Sequence, residues 1–131
     1  MNNNERDRIE QIGSSVVDSA IRVHRALGPG LLESAYQACL VFELESRGLD
    51  VECEVRVPLR YRDLLINNSY RMDMLVHRSV AVENKVVERL LPVHRAQLLT
   101  YLEFSGIKLG YLLNWNVTLM KHGIRRFVFR L

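Results

Sequence analysis

Cysteine is scarce in this chain. There are two in 131 residues, Cys39 and Cys53, with no Cys-x-x-Cys pair and no Cys/His cluster. That argues against a disulfide scaffold and against a structural zinc site. Both cysteines fall on apolar faces, one of a helix and one of a strand, and are expected as buried free thiols. Long apolar runs are also missing. None approaches the roughly 18–20 residues that span a bilayer, and the N-terminal MNNNERDRIEQ lacks the apolar core of a signal peptide. A cytoplasmic protein with no membrane partner is expected. Repeats, linkers and low-complexity segments are absent, so residues 1–131 are expected to form a single domain around one core. Acidic residues stop at Glu103, while Lys108, Lys121, Arg125, Arg126 and Arg130 follow. A basic end suits a phosphate-bearing partner; the alternative is a solubilising face.

What remains is an ordinary globular composition, 48% hydrophobic and 25% charged, with a formal net charge of +3 and a sequence pI of about 9.1. Asn4 reads as a helix N-cap with Asp7 in the capping-box position. Ile9, Ile12, Val16, Ala20, Val23 and Leu27 then recur at helical spacing. Gly13 inside that helix costs stability and marks a close helix contact. Gly28-Pro29-Gly30 turns the chain into a second helix, over about 31–47, that stops at Gly48. Val51 to Val57 alternates strictly and reads as a strand closed by Pro58. A short strand over 59–65, the turn-rich Asn67-Asn68-Ser69 and a hairpin over 70–87 follow. Pro92 opens a third helix, over 93–104, that ends at Gly106, and strands over 109–115 and 124–129 complete the chain. The order is α-α-β-β-β-β-α-β-β, an α/β (α+β) mixed sheet with helices packed on it.

The densest chemistry lies between Asp73 and Lys85, DMLVHRSVAVENK. In a strand, residues two apart share a face. Val80, Val82, Asn84 and Val86 then share one face, and Ala81, Glu83, Lys85 and Val87 the other. Met72, Met74 and Val76 share a face opposite Asp73, Leu75 and His77. A tight turn over His77-Arg78-Ser79 pairs the two runs about Arg78, which sets Asp73 across from Glu83. A one-residue slip would separate them. Two carboxylates that close need a cation between them. They can hold a divalent metal, with Lys85 beside it to stabilise developing charge. The alternative is a solvated ladder of ion pairs with Arg71, worth about 0–1 kcal/mol per pair.

The chain also resembles a known family, the GxxExxY proteins of the PD-(D/E)XK nuclease-like superfamily. The resemblance rests on Leu27-Gly28-Pro29, then Gly30-Leu31-Leu32-Glu33-Ser34-Ala35-Tyr36, Glu43-Leu44, Arg71-Met72-Asp73 and Val82-Glu83-Asn84-Lys85. It continues with Gln97-Leu98-Leu99-Thr100-Tyr101-Leu102 and Gly123-Ile124-Arg125-Arg126. It implies a restriction-endonuclease-like core. It also implies a Mg²⁺- or Mn²⁺-dependent phosphodiesterase acting on nucleic acid. By position, Asp73, Glu83 and Glu33 would be the metal ligands. Lys85 would orient or activate the attacking water. Tyr36, Gln97 and Tyr101 would contact substrate, since Gln97 and Tyr101 resemble the Gln-x-x-x-Tyr element of RecB-like exonucleases.

Each of these residues also has a plainer reading. Glu33 suits the macrodipole of a first helical turn, Tyr36 and Tyr101 suit the core, and Gln97 suits a helix surface. Asn84 departs from the family, which usually has an apolar residue there. Buried, it must find partners or cost roughly 1–3 kcal/mol. A non-catalytic nucleic-acid- or protein-binding module on the same fold is the competing reading. For a chain this short, a second copy or a partner protein would supply specificity.

Overall fold

The structure, a computed structural model, describes residues 2–131. Helix α1 (Asn3–Leu27) begins two residues earlier than expected, because Asn2 rather than Asn4 is its cap: the Asn2 side-chain oxygen accepts from the Glu5 N–H at 2.8 Å. The apolar stripe from Ile9 to Val23 is buried, and Leu27 is left exposed. Helix α2 (Glu33–Ser46) buries Tyr36, Leu40 and Leu44. These two helices cover one face of the sheet, against Met74, Val76, Val80, Val82, Leu109, Tyr111 and Leu113. Helix α3 (Pro92–Ser105) covers the other with Leu98, Tyr101 and Leu102, against Val57, Met72, Ala81 and Leu112. Each fully buried Leu or Val contributes about 1.5–3 kcal/mol relative to exposure.

The sheet has five strands: β1 (Val51–Tyr61), β2 (Leu64–Val76), β3 (Val80–Lys85), β4 (Leu109–Asn114) and β5 (Ile124–Val128). They lie in the order β1-β2-β3-β4-β5. All neighbours are antiparallel except β3 and β4, which run parallel with α3 as their crossover. The α+β class, the order of elements and the restriction-endonuclease-like core are as expected. One detail of that order differs: the short strand expected over 59–65 is not separate. Its halves are the ends of β1 and β2, joined by a two-residue turn in which Arg62 is left-handed. Pro58 does not close β1 either. Val57 pairs with Tyr70 and Leu59 with Ile66, so Asn67, Asn68 and Ser69 stand opposite Pro58 alone. A bulge on an edge strand tolerates a residue that has no N–H to donate.

The expected alternation holds in β3 and breaks in β2. Met72 lies under α3, whereas Met74 and Val76 lie under α1 and α2. The switch falls at Asp73, across from Glu54, whose backbone is left-handed with φ 56°. Both cysteines are free, as expected, but Cys39 is only half-buried and Cys53 is exposed, because β1 is an edge strand and leaves that face open. Gly13 marks a close approach of α1 to β4: a Cβ there would meet Leu109 Cδ2 at 2.7 Å and the Tyr111 hydroxyl at 2.9 Å. Among the described residues no helix is long and apolar enough to cross a membrane.

Gly123 closes the return from β4 to β5, where its carbonyl accepts from the Asn114 N–H at 2.8 Å. A side chain at this position would overlap the Asn114 carbonyl. Gly123→Ala is therefore expected to destabilise the fold at the upper end of the ~1–3 kcal/mol cost of overpacking. Urea unfolding measures this. A midpoint equal to that of the wild type would show that the return relaxes freely.

Candidate active site

Strand β3 delivers the site. Its pairing with β2 runs Val76 with Val80, Leu75 with Ala81 and Met74 with Val82, the register centred on Arg78. His77 and Arg78 are both left-handed, which makes so tight a turn possible. Beyond Met74 and Val82 the ladder stops. In its place the Asp73 side chain turns in, and its Oδ2 accepts from the Asn84 backbone N–H at 2.8 Å. Glu83 lies directly opposite Asp73 by this register, and the two carboxyl groups crowd one another.

A cleft of about 260 Å³ opens here, lined by Glu33, Tyr70, Arg71, Asp73, Glu83, Lys85 and Gln97. Four elements supply these groups. Asp73, Tyr70 and Arg71 come from β2, Glu83 and Lys85 from β3, Glu33 from the first turn of α2, and Gln97 from α3. Five of the seven expected site residues thus share one cleft.

The other two do not reach it. Tyr36 is fully buried. Its hydroxyl donates to the Gly28 carbonyl at 2.5 Å and accepts from the Leu31 N–H at 3.2 Å. The Gly-x-x-Glu-x-x-Tyr spacing thereby acquires a structural meaning: Tyr36 ties down the loop that leads into Glu33. Tyr101 is 1% exposed, packed against Tyr70 with ring centroids 5.9 Å apart. Both expected substrate contacts are spent inside the fold.

Asn84 resolves the departure noted in the sequence. It is fully buried, yet well partnered. Its Oδ1 accepts from the Trp115 indole N–H at 2.9 Å, and its Nδ2 donates to Gln37 Oε1 on α2 at 3.2 Å. Trp115 in turn stacks on Tyr36, centroids 4.8 Å apart and nearly parallel. The Trp115 backbone N–H donates to the Lys85 carbonyl at 2.9 Å. The backbone on both sides of Asn84 is held, so Glu83 and Lys85 project on the α3 side and cannot drift.

The electrostatics follow from burial and crowding. Glu83 is only 7% exposed. Burial, then the crowding and negative charge of Asp73, push its carboxyl well above the usual range, while Lys85 pulls the other way. Glu33 is raised for the same reasons more mildly, by burial first and Asp73 next, with Lys85 again opposing. Burial and then the Glu83 and Asp73 charges raise Tyr70, whose hydroxyl is buried without a hydrogen-bond partner. Tyr70 escaped the sequence reading, and Arg71 was expected only as a motif residue and ion-pair partner. Strict alternation puts Tyr70 on the face opposite Asp73, and only the switch at Asp73 brings both to one cleft.

Two apposed carboxylates, one of them pushed toward its protonated form by burial and by its neighbour, are a donor set that suits a hard divalent ion. The expected three-carboxylate set is not assembled: among the described residues no three His, Cys, Asp or Glu side chains stand together closely enough to hold an ion. The pair is Asp73 and Glu83, and Glu33 stands at the rim on the exposed first turn of α2.

Two outcomes follow from this geometry. Asn84→Val leaves the buried Trp115 N–H unpaired and is expected to lower stability by about 1–3 kcal/mol; a thermal melt no lower than that of the wild type would show that the node carries no stability. The second concerns pH. The folded state holds Glu83 protonated above its ordinary 4.5, so it binds more protons than the unfolded chain, and stability falls as pH rises from 4.5 toward the raised value. In chelator, Glu83→Gln should flatten that decline and melt about 3–6 °C above the wild type at pH 8. Parallel melting curves from pH 5 to 8 would show that Glu83 carries no such proton.

A model described as the PD-(D/E)XK nuclease superfamily matches residues 10–127. No curated protein and no solved structure matches the chain. Since the match takes in all three helices in whole or large part, every strand and every residue lining the cleft, the chain belongs to the PD-(D/E)XK nuclease superfamily.

Proposed function

We propose that the chain is a phosphodiesterase dependent on Mg²⁺ or Mn²⁺ that hydrolyses nucleic acid. One observation carries this reading. Asp73, Glu83, Lys85, Glu33 and Gln97, drawn from four separate elements, line a single cleft, and the first two meet in it as a carboxylate pair. The superfamily is nuclease-like and generally uses divalent metals.

Asp73 and Glu83 would hold the ion. Bound there, it would lower the pKa of a water and offset charge on the phosphate. Lys85 shares the cleft with both carboxylates, and its ammonium meets the charge that develops on the phosphoryl oxygens. Gln97 would offer an amide from the α3 wall to orient a phosphate or a water, and Glu33, on α2, would support the ion or its water from the rim. Arg71 adds a second cation. Burial of Glu83 lowers the local dielectric at the carboxylate pair and strengthens the electrostatic interactions made there.

The test is cleavage of single- and double-stranded DNA and RNA with Mn²⁺ or Mg²⁺. Wild type should cleave in a metal-dependent way. Lys85→Ala and Asp73→Ala should each lose about 10²–10³-fold in turnover, the scale of losing one transition-state contact. Cleavage by Lys85→Ala at the wild-type rate contradicts the assignment. No cleavage by wild type, with no metal-induced rise in melting temperature, would leave a binding module on the nuclease fold.

A further inference from the structure

The hairpin of β1 and β2 runs well beyond the cleft. Every residue from Arg60 to Ser69 is exposed, so its outer third stands away from the packed body. Between residues 55 and 72 the chain carries Arg56, Arg60, Arg62 and Arg71 against a single acid, Asp63. That excess of three equals the formal net charge of the whole protein, +3. All four arginines are exposed. Arg71 pairs with Glu54 at 2.9 Å. Among the described residues Arg56, Arg60 and Arg62 have no carboxylate within ion-pair distance.

Three further observations concern what this arm meets. Arg56 and Arg71 stand directly across the ladder from one another. Like charges so placed are unfavourable; Glu54 offsets Arg71 alone and leaves Arg56 without a carboxylate partner. At the tip, Arg62 lies over the ring of Tyr61, 5.4 Å from its centroid, while Tyr61 and Leu64 are 61% and 56% exposed. At the other end, Tyr70 and Arg71 line the cleft itself, so the arm's surface is continuous with the site. Along the unbulged strand, Arg56 to the turn at Arg62 is about 20 Å, the length of about six base pairs of duplex.

We propose that this hairpin is a nucleic-acid arm. Arg56, Arg60 and Arg62 neutralise backbone phosphates of the strand that enters the cleft, and Tyr61 with Leu64 packs against its bases at the tip. The proposal rests on the phosphodiesterase reading for where that strand leads. Unpaired arginines favour a polyanion over a second copy of this chain, whose own arm would bring the same charge.

Binding in chelator separates the arm from the chemistry. The probes are a fluorescein-labelled oligodeoxynucleotide, single-stranded and as duplex, followed by anisotropy across a range of salt. The combined Arg56→Ala, Arg60→Ala and Arg62→Ala variant should bind the duplex at least tenfold more weakly near physiological salt. The slope of log affinity against log salt should shrink by about two to three, close to one per phosphate contact removed. Tyr61→Ala should weaken the single strand with no change in slope. Arg22→Ala, an exposed arginine of α1 that lies against Glu43 of α2 and outside both arm and cleft, is the control and should match wild type. All these side chains are exposed, so every variant should melt with the wild type.

Wild-type affinity and slope in the triple variant would overturn the proposal. So would a tip that, on Tyr61→Ala, breaks a dimer in sedimentation while oligonucleotide affinity stays unchanged. Arm-dependent binding without metal-dependent cleavage supports the arm and removes the phosphodiesterase reading. Cleavage with arm-independent binding does the reverse.

Discussion

The structure turns on a buried amide. Asn84 sits between Glu83 and Lys85 with no exposure, in a place where an apolar side chain would be the simpler choice. Its side chain takes the Trp115 indole N–H and gives to Gln37, and its backbone N–H gives to Asp73. Through Trp115 and its stack on Tyr36, the network continues to the loop at Gly28 and so to the start of α2. A fully satisfied polar network of this kind rigidifies; a partly satisfied one would cost more than an apolar core. The result is that β2, β3, the end of β4 and α2 meet with their relative positions fixed. Those are the elements whose side chains make up most of the cleft.

That rigidity has a counterpart in cost. Asp73 and Glu83 are held together where neither water nor a partner charge fully compensates them, and Glu83 responds by keeping a proton. The fold does not relieve this crowding by rotating the side chains apart, since Asp73 is anchored by the Asn84 N–H and Glu83 is enclosed. Stability is given up locally to keep a donor pair in place, as is common where a site is built for an ion or a reaction rather than for packing. The cleft and the hairpin beyond it divide the work by charge: negative where an ion would sit, positive along the arm where phosphates would lie.

Much of this was legible in the sequence. The tight turn at His77-Arg78 fixed a register symmetric about Arg78, and that alone put Asp73 opposite Glu83. Helical spacing identified the buried stripe of α1, and Gly13 foretold a close approach, although to a strand. The features that escaped are those where the local pattern is overruled. Alternation fails in β2 at Asp73, opposite the left-handed backbone of Glu54, so Tyr70 joins the site against its nominal face. Pro58 reads as a strand end but sits in a bulge, where its missing N–H costs nothing. Tyr36 and Tyr101 carry a hydroxyl suited either to a substrate or to the interior, and only the tertiary packing decides; here both face inward.

The central claim is that Asp73 and Glu83 form a divalent-cation site. Titration of the protein with Mn²⁺ by calorimetry, for wild type and Asp73→Asn, tests it without requiring the right nucleic-acid substrate. Binding of a single ion by the wild type, abolished in Asp73→Asn although that variant remains folded, is the expected result. No binding by the wild type, or equal binding by both proteins, would contradict the account.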